Sequence, residues 1–313
     1  MPLKTNLHSF SSIILAAGIS KRMHTQTPKI LYKILGKTMI QFVVDLAYEL
    51  KSNEIIVVVG NKTEEIRKIL GNTVKYAIQK IPRGTGDAAK KGIALATGHN
   101  VLILYGDVPL LRKETINGMI ENHFRQMADL SILTCELSDP SGYGRIVRDK
   151  NGNILRIVEH IDASKRELMI REINTGIYFG SRELITEALT NIKTNNKQNE
   201  FYLTDIVHEL IREKKKVIGL KISNEEEILG INTKSDLARV RAIIKKNFLN
   251  ELMLRGVYIE DPMTTNIDLT VRIGKFVHIH PFTLIEGRTF IKDNSTVGPF
   301  VWIRDGKKKS LKI

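Results

Sequence analysis

The chain has 313 residues, of which 42% are hydrophobic and 26% charged, with a formal net charge of +14 and a single cysteine. This composition suits a globular protein large enough for two domains and excludes disorder and collagen-like repeats. No stretch approaches the roughly 18 uninterrupted apolar residues of a membrane span, and the N-terminus has neither the basic start nor the cleavage site of a leader; the expectation is a cytoplasmic protein without membrane insertion. Cys135, in "LSILTCEL", cannot form an intramolecular disulfide and reads as a buried strand thiol. The positive charge admits nucleic-acid binding, small polyanionic substrates or a lysine-biased composition. Basic runs occur only at 214–216 and 307–309, without interleaved aromatic residues, so no nucleic-acid partner is expected.

From residue 11 to about 135, apolar runs alternate with amphipathic segments: "SIILAAG", "TMIQFVVDLAYELK", "EIIVVVG", "KTEEIRKIL", "GDAAKKGIALATG" and "VLILYGD". Strand alternating with helix predicts an α/β fold whose mostly parallel, mixed sheet is covered on both faces. Ligands bind such sheets beyond the carboxyl ends of the strands, which singles out Ala17-Gly18, Gly60 and Gly106-Asp107. The middle third, with "GRIVRD", "ILRIVEH", "INTGIYFG" and "YLTDIVHELIREKKK", reads as an insertion that closes over this sheet. A long helix follows, with Thr233 or Ser235 as its cap, Leu237, Val240, Ile244 and Leu252 near one face, and Gly256 at its end.

After Asp261-Pro262 the period changes to six. Ile267, Ile273, Ile279, Ile285, Ile291, Val297 and Ile303 recur at every sixth residue, and four places after each come Val271, Val277, Thr283, Thr289, Ser295, Val301 and Lys307. An aliphatic corner with a small or β-branched partner at this period marks a β-helix, with a flat sheet second. The expected boundaries are 1–232 for the α/β domain, 233–260 for the connecting helix and linker, 261–306 for a short β-helix and 307–313 for a solvated basic tail.

Several short stretches carry chemistry. In "IILAAGISKRM", Gly18 follows a strand and can present backbone N–H groups to an anion; Ala16 and Ala17 leave room, and Arg22 and Lys29 supply charge. The next glycine is Gly36, so neither a dinucleotide fingerprint nor a P-loop is present. Asp107, after the strand in "LILYGDVPLL", is either a loop-capping acid or a ligand for a hard cation, and a neighbouring polyphosphate cradle favours Mg²⁺. Asn232 offers a neutral oxygen at what reads as another strand end, or serves as a turn or cap residue. Gln79 can read a base edge, Gly84-Thr85 start a helix, and Gly144, Glu159 and Asn174 suit hydroxyl or amide hydrogen bonding.

Taken together and in order, "LAAGxSxRM…PKxL", "Q…GTG", "YGDVPL", "GYGRI", "IVEHxDA", "EINTGIY", "EFYLTDI" and "GINT" resemble the bacterial N-acetylglucosamine-1-phosphate uridylyltransferases, the N-terminal half of the bifunctional GlmU enzymes, over roughly residues 11 to 303. The resemblance implies a Rossmann-like nucleotidyltransferase sheet and a left-handed parallel β-helix that makes the family trimeric. It implies nucleotide contacts at Leu15, Ala16, Ala17, Gly18, Lys29, Gln79, Gly84 and Thr85, with Tyr105 and Gly106 adjoining. Asp107 and Asn232 match Mg²⁺ ligands, Gly144, Glu159 and Asn174 sugar contacts, and Arg22, with Lys29, the cations that stabilise departing pyrophosphate.

The implied reaction is Mg²⁺-dependent transfer of UMP from UTP to N-acetylglucosamine-1-phosphate, releasing pyrophosphate and supplying peptidoglycan and lipopolysaccharide precursors. The alternatives are another sugar phosphate, or an inactive, trimer-forming remnant. Two departures matter. Ile19-Ser20-Lys21 stands where the family has x-Gly-Thr, a version similar to nucleotidyltransferases that act on molybdopterin. The β-helix has about seven hexads, so the later coils that carry acetyltransfer in the family are missing, acetyltransferase activity is expected to be absent, and the homotrimer is expected to be weakened. His278 and His280 fall in early hexads, where surface or corner roles are expected.

Overall fold

The strand Phe10–Leu15 is buried at all six positions because both of its edges and both of its faces are occupied. Asn100–Tyr105 pairs with it in parallel on one side, from Phe10↔Asn100 to Leu15↔Tyr105, and Glu54–Val59 on the other, from Ser11↔Glu54 to Leu15↔Val58. The helix Thr85–Ile93 lays Ala88, Ala89 and Ile93 into the same core as Ile13, Ile56, Val58 and Ile103. Continuous apolar strands are what a sheet covered on both faces requires.

The computed structural model describes residues 9–18, 21–23, 25, 27–60 and 63–309. The chain divides into two compact units, one over Met1–Lys21 and Ile40–Gly230, the other over Arg22–Met39 and Ile231–Ile313. The first holds a nine-stranded mixed sheet whose main order is Val217–Ile222, Leu130–Glu136, Glu172–Ser181, Asn100–Tyr105, Phe10–Leu15, Glu54–Val59, Lys75–Ile78. The middle third does not close over the sheet as an insertion, as the sequence suggested, but widens it. Glu172–Ser181 lies antiparallel between Asn100–Tyr105 and Leu130–Glu136, and Val217–Ile222 adds a parallel edge. Hydrophobic period reports that a strand is half or fully buried, not which strand it joins, so partner choice was hidden. A hairpin of Arg145–Arg148 and Ile154–Val158 joins this sheet through Ile173↔Arg145. Cys135 is a buried strand thiol in Leu130–Glu136, and burial pushes its pKa up.

In the second unit, the helix Lys234–Leu254 opens on a capping box in which Thr233 Oγ1 accepts from Asp236 N–H while Asp236 accepts from Thr233 N–H. Thr233, not Ser235, is the cap, and Gly256, at φ +91°, follows the helix. Val240, Ile244, Leu249 and Leu252 are its buried face, with Leu237 half-buried.

The six-residue period folds as successive parallel coils. Asn266–Ile267 pairs with Thr283–Glu286, Arg272–Ile273 with Phe290–Ile291, and His278–Ile279 with Thr296–Val297, each residue meeting its partner 18 positions on. Ile267, Val271, Val277, Ile279, Thr283, Ile285, Thr289, Ile291 and Val297 are all buried. After Val301–Arg304 the pattern reverses. Instead of a tail, Lys307–Lys309 turns back at Asp305-Gly306 as an exposed antiparallel strand, Trp302↔Lys309 to Arg304↔Lys307. The segment before Met39 packs in this unit too: Leu269 N–H donates to Leu35 O, and Gly36, at φ +83°, lies against Asp268.

Candidate functional site

The carboxyl ends of Phe10–Leu15 and Asn100–Tyr105 lie side by side, tied by Gly106 N–H to Leu15 O at 3.0 Å, while Ala16 N–H donates to Val58 O at 2.9 Å. The chain therefore leaves the sheet at Ala17-Gly18 beside Gly106-Asp107. Gly18 differs from the other glycines of the site. A Cβ added there meets no atom within 4 Å, and its φ is not left-handed, so the protein's own packing does not require glycine. What it leaves is open space at the carboxyl end of the strand. Ser20 lies outside the described residues.

Gly84 is required by the fold itself. At φ +105° it starts the helix Thr85–Ile93, and a Cβ would lie 2.4 Å from Phe201 O. Gln79 is only 5% exposed, and its side-chain N–H₂ donates to Gly84 O at 3.1 Å and Asp87 Oδ2 at 2.8 Å. A flipped amide would set its oxygen against two acceptors, so this orientation is fixed. Both donors hold the loop, so the carbonyl oxygen takes no part in it. Thr85 Oγ1 accepts from Leu203 N–H at 3.0 Å and is hydrogen-bonded to Tyr105.

Tyr105 ties the rest of the first unit's site together. Burial raises its phenol pKa, and the carboxylates of Glu159 and Asp107 raise it further, which places both acids in its field. Its ring fills the space left by Gly176, where a Cβ would come within 2.3 Å of Cε2. Gly176, at φ +82°, sits in a register shift of Glu172–Ser181 between Asn174 and Tyr178. There its N–H donates to Asn174 Oδ1 at 3.0 Å and Asn174 Nδ2 donates to Tyr178 Oη at 2.8 Å. Bulges of this kind re-aim side chains, here Asn174.

Asn174 N–H donates to Gly144 O at 2.9 Å, and a Cβ on Gly144 would lie 3.4 Å from Glu159 Oε2. The three residues expected to meet a sugar are thus contiguous. Glu159 Oε1 accepts from Thr204 Oγ1 at 3.0 Å; burial nevertheless raises its pKa, with Asp205 and Asp162 adding to the rise. Glu159 also lines a cavity of about 540 Å³ with Asp162, Tyr202, Asp205 and Glu209. Burial first, then Asp162 and Glu209, lifts the Asp205 pKa to about 6. Neither Tyr178, four residues beyond Asn174, nor Thr204, 45 residues beyond Glu159, carries a local signature of its role in holding a site residue.

Arg22, Lys29 and Asn232 belong to the second unit. Asn232 is not at a strand end but directly before the cap of Lys234–Leu254, where its N–H donates to Asp236 Oδ2 at 3.0 Å. Its Oδ1 accepts from Lys29 Nζ at 2.8 Å, an amide oxygen already turned toward positive charge. Lys29 opens the short helix Lys29–Leu31 after Pro28. Arg22 lies on the turn Lys21–Met23, exposed; burial would raise the Asp236 carboxyl, but hydrogen bonds from Asn232 and Thr233, with a smaller contribution from the Arg22 charge, hold it below the usual range. Asp107 and Asn232 are hard oxygen donors. Each, taken in its own unit, is the kind of donor that Mg²⁺ accepts, since this ion takes few protein ligands and completes its shell with water and phosphate.

A mixed, mostly parallel sheet flanked by helices, with Gly18, Gly106 and Asp107 at adjacent strand ends, defines an α/β protein of doubly covered sheet type. The Nucleotidyl transferase family model matches residues 11–243, and the chain belongs to that family. It is 41% identical over 289 residues to the Bifunctional protein GlmU of Caldanaerobacter subterraneus subsp. tengcongensis, covering 92% of this chain and 63% of that protein. With the Bifunctional protein GlmU of Thermoanaerobacter pseudethanolicus the identity is 42% over 297 residues, 95% of this chain and 65% of that protein. The chain therefore spans just under two thirds of these curated relatives. Among solved structures, a UDP-glucose pyrophosphorylase complexed with UDP-glucose shares the fold, with a TM-score of 0.63 at 18% identity over 76% of this chain and 99% of that one. No helix among the described residues is long and apolar enough to cross a membrane.

Proposed function

We propose that the chain transfers UMP from UTP to N-acetylglucosamine-1-phosphate, giving UDP-N-acetylglucosamine for envelope precursors such as peptidoglycan and lipopolysaccharide, and pyrophosphate. The observation that supports this is the packing at the strand ends: Gly106-Asp107 lies beside the open space at Gly18, and Tyr105 fills the gap at Gly176 next to Asn174, which is hydrogen-bonded to Gly144 beside Glu159.

A sugar-1-phosphate already bears an anionic oxygen, so its attack on the α-phosphorus of UTP needs no general base. The protein's task is to hold two polyanions together and to stabilise pyrophosphate as it leaves. Backbone N–H groups around Gly18, with Arg22 and Lys29, bind the β- and γ-phosphate oxygens, guanidinium as a fork and ammonium as a point charge. Gln79 offers its carbonyl oxygen to an N–H of the uracil edge, its own donors being held by Gly84 and Asp87. Glu159 and Asn174 accept from and donate to the sugar's hydroxyl and amide groups. Mg²⁺, when bound, would supply charge neutralisation to the phosphates, Asp107 being the first unit's donor for it and Asn232 the second unit's.

The same reading includes the homotrimer; Phe276, Phe282, Phe290 and Phe300, exposed along the coils, supply apolar surface for it, and light scattering that found only single chains would remove it. For the reaction, pyrophosphate release is measured with UTP and Mg²⁺ against N-acetylglucosamine-1-phosphate and glucose-1-phosphate. Faster release with the acetylated sugar is expected. Faster release with glucose-1-phosphate would reassign the sugar, and no release with either would overturn the proposal.

A further inference from the structure

The coil strands Tyr258–Ile259 and His278–Ile279 are parallel neighbours, with Tyr258 opposite His278 and Ile259 opposite Ile279. The two isoleucines point inward, at 4% and 0% exposure, so the alternation of a strand turns the flanking residues outward. Glu260 continues the register, its N–H donating to Ile279 O at 3.1 Å. Its carboxylate consequently reaches both imidazoles on the next coil. His278 Nε2 lies 2.7 Å from Oε1 and His280 Nδ1 lies 3.1 Å from Oε2. The imidazole centroids are 4.3 Å apart, and Tyr258 packs on the outer side of His278 at 4.7 Å. One ligand atom from each of the three residues lies within 4.8 Å of the others.

We propose that Glu260, His278 and His280 bind a divalent transition-metal ion of the zinc class. Two imidazoles and one carboxylate form a donor set of borderline softness, suited to Zn²⁺ and its neighbours and unsuited to Mg²⁺ or Ca²⁺. Three protein ligands leave the fourth tetrahedral position to water or another donor. Tetrahedral ligand bonds of about 2.0–2.2 Å need the hydrogen-bonded atoms to separate by less than about an ångström and the more widely spaced ligand atoms, now within 4.8 Å, to draw together. The ion would join two successive coils, because Glu260 and His278 are 18 residues apart along the chain, and so would stabilise the coil unit by linkage.

The test uses the full chain, stripped with a chelator and titrated calorimetrically with zinc chloride in a millimolar excess of Mg²⁺. One ion per chain at micromolar affinity or tighter is expected, together with a raised thermal midpoint. Glu260→Gln, or the double variant His278→Gln with His280→Gln, should weaken binding by at least about tenfold, since even the loss of an outer-shell partner costs that much. All three side chains face outward, so unchanged circular dichroism is expected, and Co²⁺ loaded into the native protein should give visible bands that Glu260→Gln alters. Failure of the native chain to bind zinc, or native affinity in the double histidine variant, would overturn the proposal.

Discussion

The sheet unit and the coil unit both rest on parallel pairings of aliphatic strands, Phe10–Leu15 with its two neighbours in one and the successive coils in the other, yet they store their information differently. In the coils every inward residue packs on its counterpart 18 positions along the chain, so Ile267, Ile285 and Ile303 form one row and Ile273 and Ile291 another. In the sheet the neighbours of Leu15 are Tyr105 and Val58, brought there by helices of unrelated sequence. The coil's order is local and repeats; the site's order is long-range and occurs once.

That contrast can be broken from either side. The largest expected effect on stability is Ile279→Ala, which removes a fully buried side chain from the coil core and should cost about 2–5 kcal/mol. The loss should appear as a lowered unfolding midpoint of the coil unit, with nucleotide binding retained. Gly176→Ala should follow, at about 2–3 kcal/mol, because it strains a left-handed residue and drives a methyl into the Tyr105 ring. Its distinguishing readout is a raised KM for the sugar phosphate, since Asn174 and Tyr105 move together.

The smallest is Glu54→Gln. Burial alone would push the Glu54 carboxyl up, but hydrogen bonds from Lys75, Ser11 and Thr97 bring it down to about 2. A folded pKa below the unfolded value contributes stability above pH 4.5 that is lost as the pH falls toward 2. Glu54→Gln should therefore cost about 1 kcal/mol at pH 7, after solvent screening at this rim position, and little near pH 2. Urea midpoints of both proteins at the two pH values check this.

The same contrast explains what could be read in advance. The strands of the first half, the capped helix at Thr233 and the hexad corners followed from short-range pattern. The place of Glu172–Ser181 inside the sheet did not, because "EINTGIYFG" states that a strand is buried and not beside what. Nor did the packing of Leu35 and Gly36 with Leu269 and Asp268, which joins residues far apart in sequence. At the site, the glycines and Asp107 were visible at strand ends, whereas Thr204 behind Glu159, Tyr178 behind Asn174 and the commitment of Gln79 to Gly84 were not. The outward pairing of Glu260 with His278 and His280 was hidden for the same reason: the period marks which residues face in, and leaves the outer face unspecified.

The central proposal is that the acid following Asn100–Tyr105, Asp107, serves the transfer reaction. Pyrophosphate release from UTP and N-acetylglucosamine-1-phosphate with Mg²⁺ should fall by about 10²-fold or more in Asp107→Ala, the scale of losing one preorganised charge-stabilising group, while the unfolding midpoint stays near that of the native chain. Release at the native rate from a folded Asp107→Ala protein would contradict it.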